Sequence, residues 1–194
     1  MSSRSEILIL VEDNRQKLFI RRFLLRVGID KRQMIFAAVS GGHGSGKQWV
    51  RNQFADQVRK CRQRNKRAST SMFAVMDADE QTVARCLSDL DDELIKTSQA
   101  RVDKNHDRVA RLIPKRNIET WILCLTSHKD VQPQWSEEQS YKDSKRAEEW
   151  DQLTPQASEA LYAWTRPAAV LPENLISSLR LGIQEIPRAL PLGR

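Results

Sequence analysis

Short apolar runs, each followed by a segment with helical spacing, constrain this chain more than any other feature. Residues 6–11 (EILILV), 34–39 (MIFAAV) and 72–76 (MFAVM) are almost wholly apolar and show no polar alternation, the pattern of strands covered on both faces. After the first run, Leu18, Phe19, Phe23 and Leu24 recur at helical spacing, with Asn14 placed to cap the helix and Gly28 to stop it. The spacing predicts a long helix over 47–65, with Val50, Phe54 and Val58 on one face. It predicts another over 81–96, striped by Val83, Leu87, Leu90 and Leu94. A fourth strand is expected at 108–113, ended by Pro114, and then a helix capped by Asn117. Strands alternating with helices in this way mean βα units and a parallel sheet, an α/β fold. Right-handed crossovers align the C-terminal ends of the strands along one edge, where such sheets carry their sites.

Beyond residue 127 the character changes. Residues 128–144 are polar, and helices are expected at 155–165 and 172–186, broken by Pro167, Pro172 and Pro187. The chain therefore reads as an α/β domain over 1–127 and a helical C-terminal appendage over 128–194 packed on the sheet. Trp49 and Trp121 read as core anchors, and Trp135, Trp150 and Trp164 as packing for the appendage. With 40% hydrophobic and 29% charged residues, seven Gly and seven Pro among 194, collagen-like, disordered and membrane-embedded classes are excluded. No apolar run approaches the roughly 20 residues of a membrane span, and the N-terminus does not read as a signal peptide. Cys61, Cys86 and Cys124 are odd in number and far apart; they read as thiols of a reducing cytoplasm and exclude a zinc ribbon. The three histidines, His43, His106 and His128, show no metal-ligand spacing.

Charge is unevenly distributed. Residues 1–67 hold 16 Lys/Arg against 5 Asp/Glu, whereas the remainder holds 16 against 20. A basic first part favours a polyanion, and nucleic acid is the expected partner. The densest stretch comprises Arg59, Lys60, Arg62, Arg64, Lys66 and Arg67, at the end of the long helix. Each phosphate such a run neutralises would steepen the salt dependence of binding; cations complementing a helix C-terminus are the plain alternative. Residues 41–47 (GGHGSGK) fit GxxxxGK between a strand and a helix, so Lys47 and backbone amides could cradle phosphate. Gln48 stands where a P-loop carries Ser or Thr, so a P-loop-like NTPase is an alternative that lacks its metal-binding hydroxyl. A plain tight turn is another.

The candidate chemistry is acidic. Glu12 directly follows the first strand, and Asp77 and Asp79 follow the third. In an extended segment, positions i and i+2 point the same way, so Asp77 and Asp79 are expected to converge, with Glu12 beside them on the same edge. Carboxylates this close repel unless a cation sits among them. Hard oxygen donors suit Mg²⁺ or Mn²⁺, and with a basic half this points to metal-dependent phosphoryl transfer or phosphodiester cleavage. The competing structural explanation is helix capping, with Asp79 preceding Glu80 and Gln81 in that style.

A Glu ending a first strand (ILILVED), followed by an Asp-x-Asp ending a later one (FAVMDAD), resembles the Toprim domain of topoisomerases, bacterial primases and the overcoming-lysogenization-defect nucleases. The segment IPKRNIETWIL is similar to a stretch of short stand-alone Toprim-like proteins, many linked to phage defence. The resemblance covers about residues 5–126. It implies a Rossmannoid parallel sheet flanked by helices, and a Mg²⁺-dependent nuclease or nuclease subunit acting on DNA or RNA. It implies that Glu12 is a metal ligand or general acid/base, that Asp77 and Asp79 bind metal, and that Glu119 completes a second metal site. It also implies a separate ATPase subunit as partner. The chain departs from nuclease-type members at Asp13, which replaces a Gly, and at Gln16, which stands where they carry a second acidic residue. A non-catalytic Toprim-like adaptor that binds protein or nucleic acid is the alternative in another class.

Overall fold

In a computed structural model that describes residues 5–37, 46–66, 68–127 and 135–190, the apolar runs form strands β1 (Glu6–Val11), β2 (Met34–Phe36), β3 (Thr70–Val75) and β4 (Val109–Leu112). All pair in parallel, in the order β2-β1-β3-β4. Alternate residues of each strand face opposite ways, as a two-unit repeat requires. Ile7, Ile9 and Val11 of β1, with Phe73 and Val75 of β3, face one core. Leu8 and Leu10, with Met72 and Ala74, face the other. A sheet covered on both sides needs apolar side chains at consecutive positions, hence the missing alternation.

Helix α1 (Asn14–Val27) covers the first face; helices α2 (Gly46–Asn65) and α3 (Val83–Lys96) cover the second. The cap of α1 is Asp13, whose side chain accepts the Gln16 N–H, and not Asn14, which is the first helical residue. Gly28 ends α1 at φ 95°, a left-handed conformation that favours glycine. The expected strand tail at Ala38 and Val39 lies outside the described residues.

Helix α4 (Ile118–Thr126), capped by Asn117 as expected, is buried all round from Ile118 to Leu125. It packs on helix α5 (Ala147–Trp164), which also packs on α1, and its side chains join those of β1 and β3 in the first apolar core. Helix α6 (Ser177–Ala189) lies along β4, and Glu185 Oε2 accepts the Arg111 N–H at 3.4 Å. That contact covers the β4 edge of the sheet. Ile7 of β1 and Ala189 of α6 thus belong to one apolar cluster. Two expectations for the C-terminal region are corrected. Pro155 lies inside α5, which starts eight residues before it, and Pro187 lies inside α6 without ending it. The three cysteines are free and buried, with burial pushing the Cys61 thiol up to about 12. Among the described residues no helix is long and apolar enough to cross a membrane.

Candidate active site at the sheet edge

Val11 pairs with Val75, so β1 and β3 end level; Glu12 emerges level with Met76, and its side chain reaches the Asp77 backbone. The chain passes from β1 through α1 to β2, then returns through α2 past β1 to β3. The winding direction reverses between β1 and β3, which makes this the switch point where open α/β sheets bind ligands.

One buried amide ties the acidic residues together. Gln16, on the first turn of α1, accepts the Glu12 N–H at its Oε1 (2.8 Å). It donates from Nε2 to Asp77 Oδ1 (2.9 Å) and from its backbone to Asp13 Oδ1 (2.8 Å). Glu12 Oε2 in turn accepts the Asp77 N–H at 3.1 Å. Asp77 is only 2% exposed. Burial pushes its carboxyl well above the ordinary range, and repulsion from Glu12, Asp13 and Glu119 adds to this. Burial also raises Glu12, with Asp79 and Asp13 adding and the Asp77 N–H opposing.

Glu119 is buried at the start of α4, and its Oε1 meets Arg15 Nε at 2.8 Å. Burial raises its carboxyl despite a bond to its own backbone N–H and the nearby guanidinium. Arg15 itself lies over the Trp150 ring, 5.4 Å from the centroid. Lys142 supplies a second cation. Asp13, Asp77, Glu119 and Glu12 together outweigh its partial burial and hold its ammonium above the ordinary lysine range.

Asp79 takes a different direction from the expected one. Its φ is 56°, so the chain leaves the extended path after Ala78 and the i, i+2 alignment with Asp77 does not hold. Its side chain is 54% exposed and pairs with Lys47 Nζ at 3.0 Å. It does not cap α3 either, because Thr82 does. Lys47 also donates to the Ala78 carbonyl at 2.8 Å. The N-terminus of α2 abuts Glu12 so closely that a Cβ on Gly46 would run into the Glu12 carbonyl and Cγ. Residues 41–45 of the glycine-rich loop, including His43, lie outside the described residues, as does His128.

The basic run is placed elsewhere. Arg59 and Lys60 both pair with Asp56. Arg62 grips Asp107 with two nitrogens (2.9 and 2.6 Å) and donates to the carbonyls of Ala100 and Arg101. Arg64 meets Glu6 at 3.2 Å, and Lys66 is exposed. Arg67 lies outside the described residues. Glu6 begins β1, so the run sits at the N-terminal edge of the strands. The 20-residue helix α2 spans about 30 Å, and it separates the run from the acidic residues.

Glu12, Asp77 and Glu119 are thus gathered at one edge, Asp79 is turned outward beside them, and Arg59 to Lys66 are far away. Arg15 and Lys142 were not singled out from sequence, and Gln16 and Asp13 figured only as departures from a pattern. The i, i+4 spacing of Glu12 and Gln16 across a helix start could have found the clasp. No local signal marks Lys142.

Among the described residues no three His, Cys, Asp or Glu side chains form a ready metal cage. Mg²⁺ and Mn²⁺ do not require one, since Mg²⁺ is commonly held by one or two carboxylates, waters and substrate phosphate. Glu12 and Asp77 offer that donor set, and Asp77 is a buried carboxylate repelled by three acids, which a dication would relieve. The residues fit such an ion at Glu12 and Asp77, while Asp79 and Glu119 are each held by a cation of the protein.

No family model matches the chain, and no curated protein does. Among solved structures it is similar to the C-terminal region of the Burkholderia pseudomallei OLD protein, with 13% identity and a TM-score of 0.40, over 97% of this chain and 99% of that one.

Proposed function

We propose that this chain is a metal-dependent nuclease that hydrolyses phosphodiester bonds of DNA or RNA at the Glu12–Asp77 edge. The observation that carries the reading is Asp77, a carboxylate buried at the switch point and repelled by Glu12, Asp13 and Glu119. Such a group either keeps its proton or holds a cation. The order of the acids along the chain, which resembles the Toprim pattern, supports the same reading and extends it to an ATPase partner and a role in phage defence.

Glu12 and Asp77 would hold Mg²⁺ or Mn²⁺. When bound, such an ion lowers the pKa of water and polarises the phosphoryl oxygen. Glu12, whose Oε2 lies against the Asp77 N–H, serves either as that ligand or as the base that takes the proton of the attacking water. The water oxygen adds to phosphorus as its proton passes to the base, the P–O ester bond breaks, and the leaving alkoxide takes a proton from solvent, giving a phosphomonoester and an alcohol. Gln16 fixes the orientation of Asp77 throughout, and the Lys142 ammonium offsets phosphate charge at the rim of the acidic group. In this reading Asp79 and Lys47 form a gatepost beside the site.

The test is incubation of purified protein with plasmid, single-stranded DNA and RNA, in Mg²⁺, Mn²⁺ or EDTA. Cleavage is expected with the metals, and neither with EDTA nor in Asp77→Asn and Glu12→Gln. Cleavage that survives in EDTA or in Asp77→Asn sinks the mechanism.

A further inference from the structure

Beside Glu12, on the side away from Asp77, a cleft of about 500 Å³ opens between the ends of β1 and β2 and the first turns of α1. Small-molecule sites run from about 300 to 1,000 Å³, so it can take one flat heterocycle with its sugar. Val11, Phe36 and Ala37 provide an apolar side; Asp13, Asn14 and Lys17 provide a polar one. Lys17 is exposed, and its ammonium lies over the Phe36 ring, 5.2 Å from the centroid. Among the described residues it thus spends its charge on a ring face and not on a carboxylate. An aromatic ring with an exposed cation on its face, flanked by an amide that both donates and accepts, is the chemistry that recognises a nucleotide. Bases stack on aromatic rings, ammonium groups pair with phosphate, and Asn reads base edges.

We infer that this cleft binds one unpaired nucleotide, its base on Phe36 and its phosphate on Lys17. The base takes the place of the ammonium on the ring as Lys17 turns to the phosphate. A base can enter only when it is out of a duplex stack, so the occupant is a single strand or a frayed end. A strand leaving the cleft towards β3 carries its next phosphate past Glu12 and Asp77. This inference rests on the nuclease reading for its biological sense, but it can be tested without cleavage.

The experiment is fluorescence anisotropy with a labelled oligo-dT strand in EDTA, using wild type, Phe36→Leu and Lys17→Gln, with a blunt hairpin duplex as second ligand. Phe36→Leu keeps an apolar side chain against the core, and thermal melting checks that it folds. Lys17→Gln changes an exposed position. Stacking of one base predicts binding weaker by about 5- to 150-fold in Phe36→Leu. Lys17→Gln should lower the slope of log K against log salt by about 0.7, one single-strand phosphate. The duplex should bind at least about tenfold more weakly than the strand. Folded Phe36→Leu and Lys17→Gln proteins that bind the strand as wild type does would overturn the inference, as would equal affinity for the duplex. Strand binding that depends on Phe36, without metal-dependent cleavage, sinks the nuclease reading alone. Cleavage with strand binding indifferent to both residues sinks this inference alone.

Discussion

A side-chain amide buried between a backbone N–H and a carboxylate satisfies both in only one orientation, and Gln16 is held in that orientation by Glu12 and Asp77. Gln16→Leu would remove both bonds from a fully buried position and leave the Glu12 N–H and the Asp77 carboxyl without them. The expected cost is about 1–3 kcal/mol, and the melting midpoint should fall by about 2–4 °C per kcal/mol in a chain of this length. Asp77→Asn should do the reverse. Asparagine keeps an acceptor for the Gln16 amide but removes the charge that Glu12, Asp13 and Glu119 repel. In EDTA at mildly alkaline pH this variant should melt above wild type while losing metal-dependent cleavage; calorimetry and a cleavage assay on the same preparation check both. The positions of Glu12 and Asp77 were legible in the sequence because each directly follows an apolar run within an alternating strand–helix pattern. The direction of Asp79 was not, because nothing local marks the turn at φ 56°, and its partner Lys47 lies 32 residues away in sequence.

Helix starts and ends carry the same lesson at a larger scale. Helix α2 brings Lys47 to the acidic edge only because residue 46 has no side chain to strike Glu12. Gly46→Ala would push the helix start away from β1, at a cost of about 1–3 kcal/mol by overpacking. Melting should show that loss, and cleavage should fall further than in an equally destabilised control such as Val58→Ala, three turns further along the same helix. At the other end of α2, Arg62 bonds Asp107 and two loop carbonyls. Arg62→Ala should lower stability in urea by about 2 kcal/mol, as loss of a partly buried charged hydrogen bond does, yet leave the salt dependence of nucleic-acid binding unchanged. The parallel sheet and the first three helices were legible because their periodicities differ so plainly, and α4 because Pro114 ends the strand before it and Asn117 caps it. The start of α5 was not. Proline commonly opens a helix, but here Asp151 and Pro155 both lie on the exposed face, so the carbonyl that Pro155 cannot bond can turn to water.

Across the whole molecule, the basic run and the candidate acids lie at opposite ends of the strands. The Arg59–Lys66 cations lie at the N-terminal edge of the sheet, and Glu12, Asp13, Asp77 and Glu119 at the C-terminal edge. The surplus of basic residues in the first third of the sequence does not say which edge they occupy, since α2 carries them away from the loop where it starts. The acidic edge has a consequence for pH. Carboxyls of the unfolded chain titrate near about 4, whereas folded Glu12, Asp77 and Glu119 keep their protons to higher pH. Above about pH 4 the folded state therefore binds more protons than the unfolded one, and stability falls as pH rises through the window between the two sets of values. Asp56, lowered by its bonds to Lys60 and Arg59, acts oppositely, and its contribution is lost as pH drops below about 4. A dication that takes the place of those protons reverses the alkaline loss by binding the folded state alone. Millimolar Mg²⁺ should therefore raise the melting midpoint little near pH 5 and progressively more as pH rises and protons compete less. In Asp77→Asn the Mg²⁺-induced rise should be smaller at every pH. A rise of equal size at both ends of the range, or one that persists in Asp77→Asn, would place the ion away from these carboxylates.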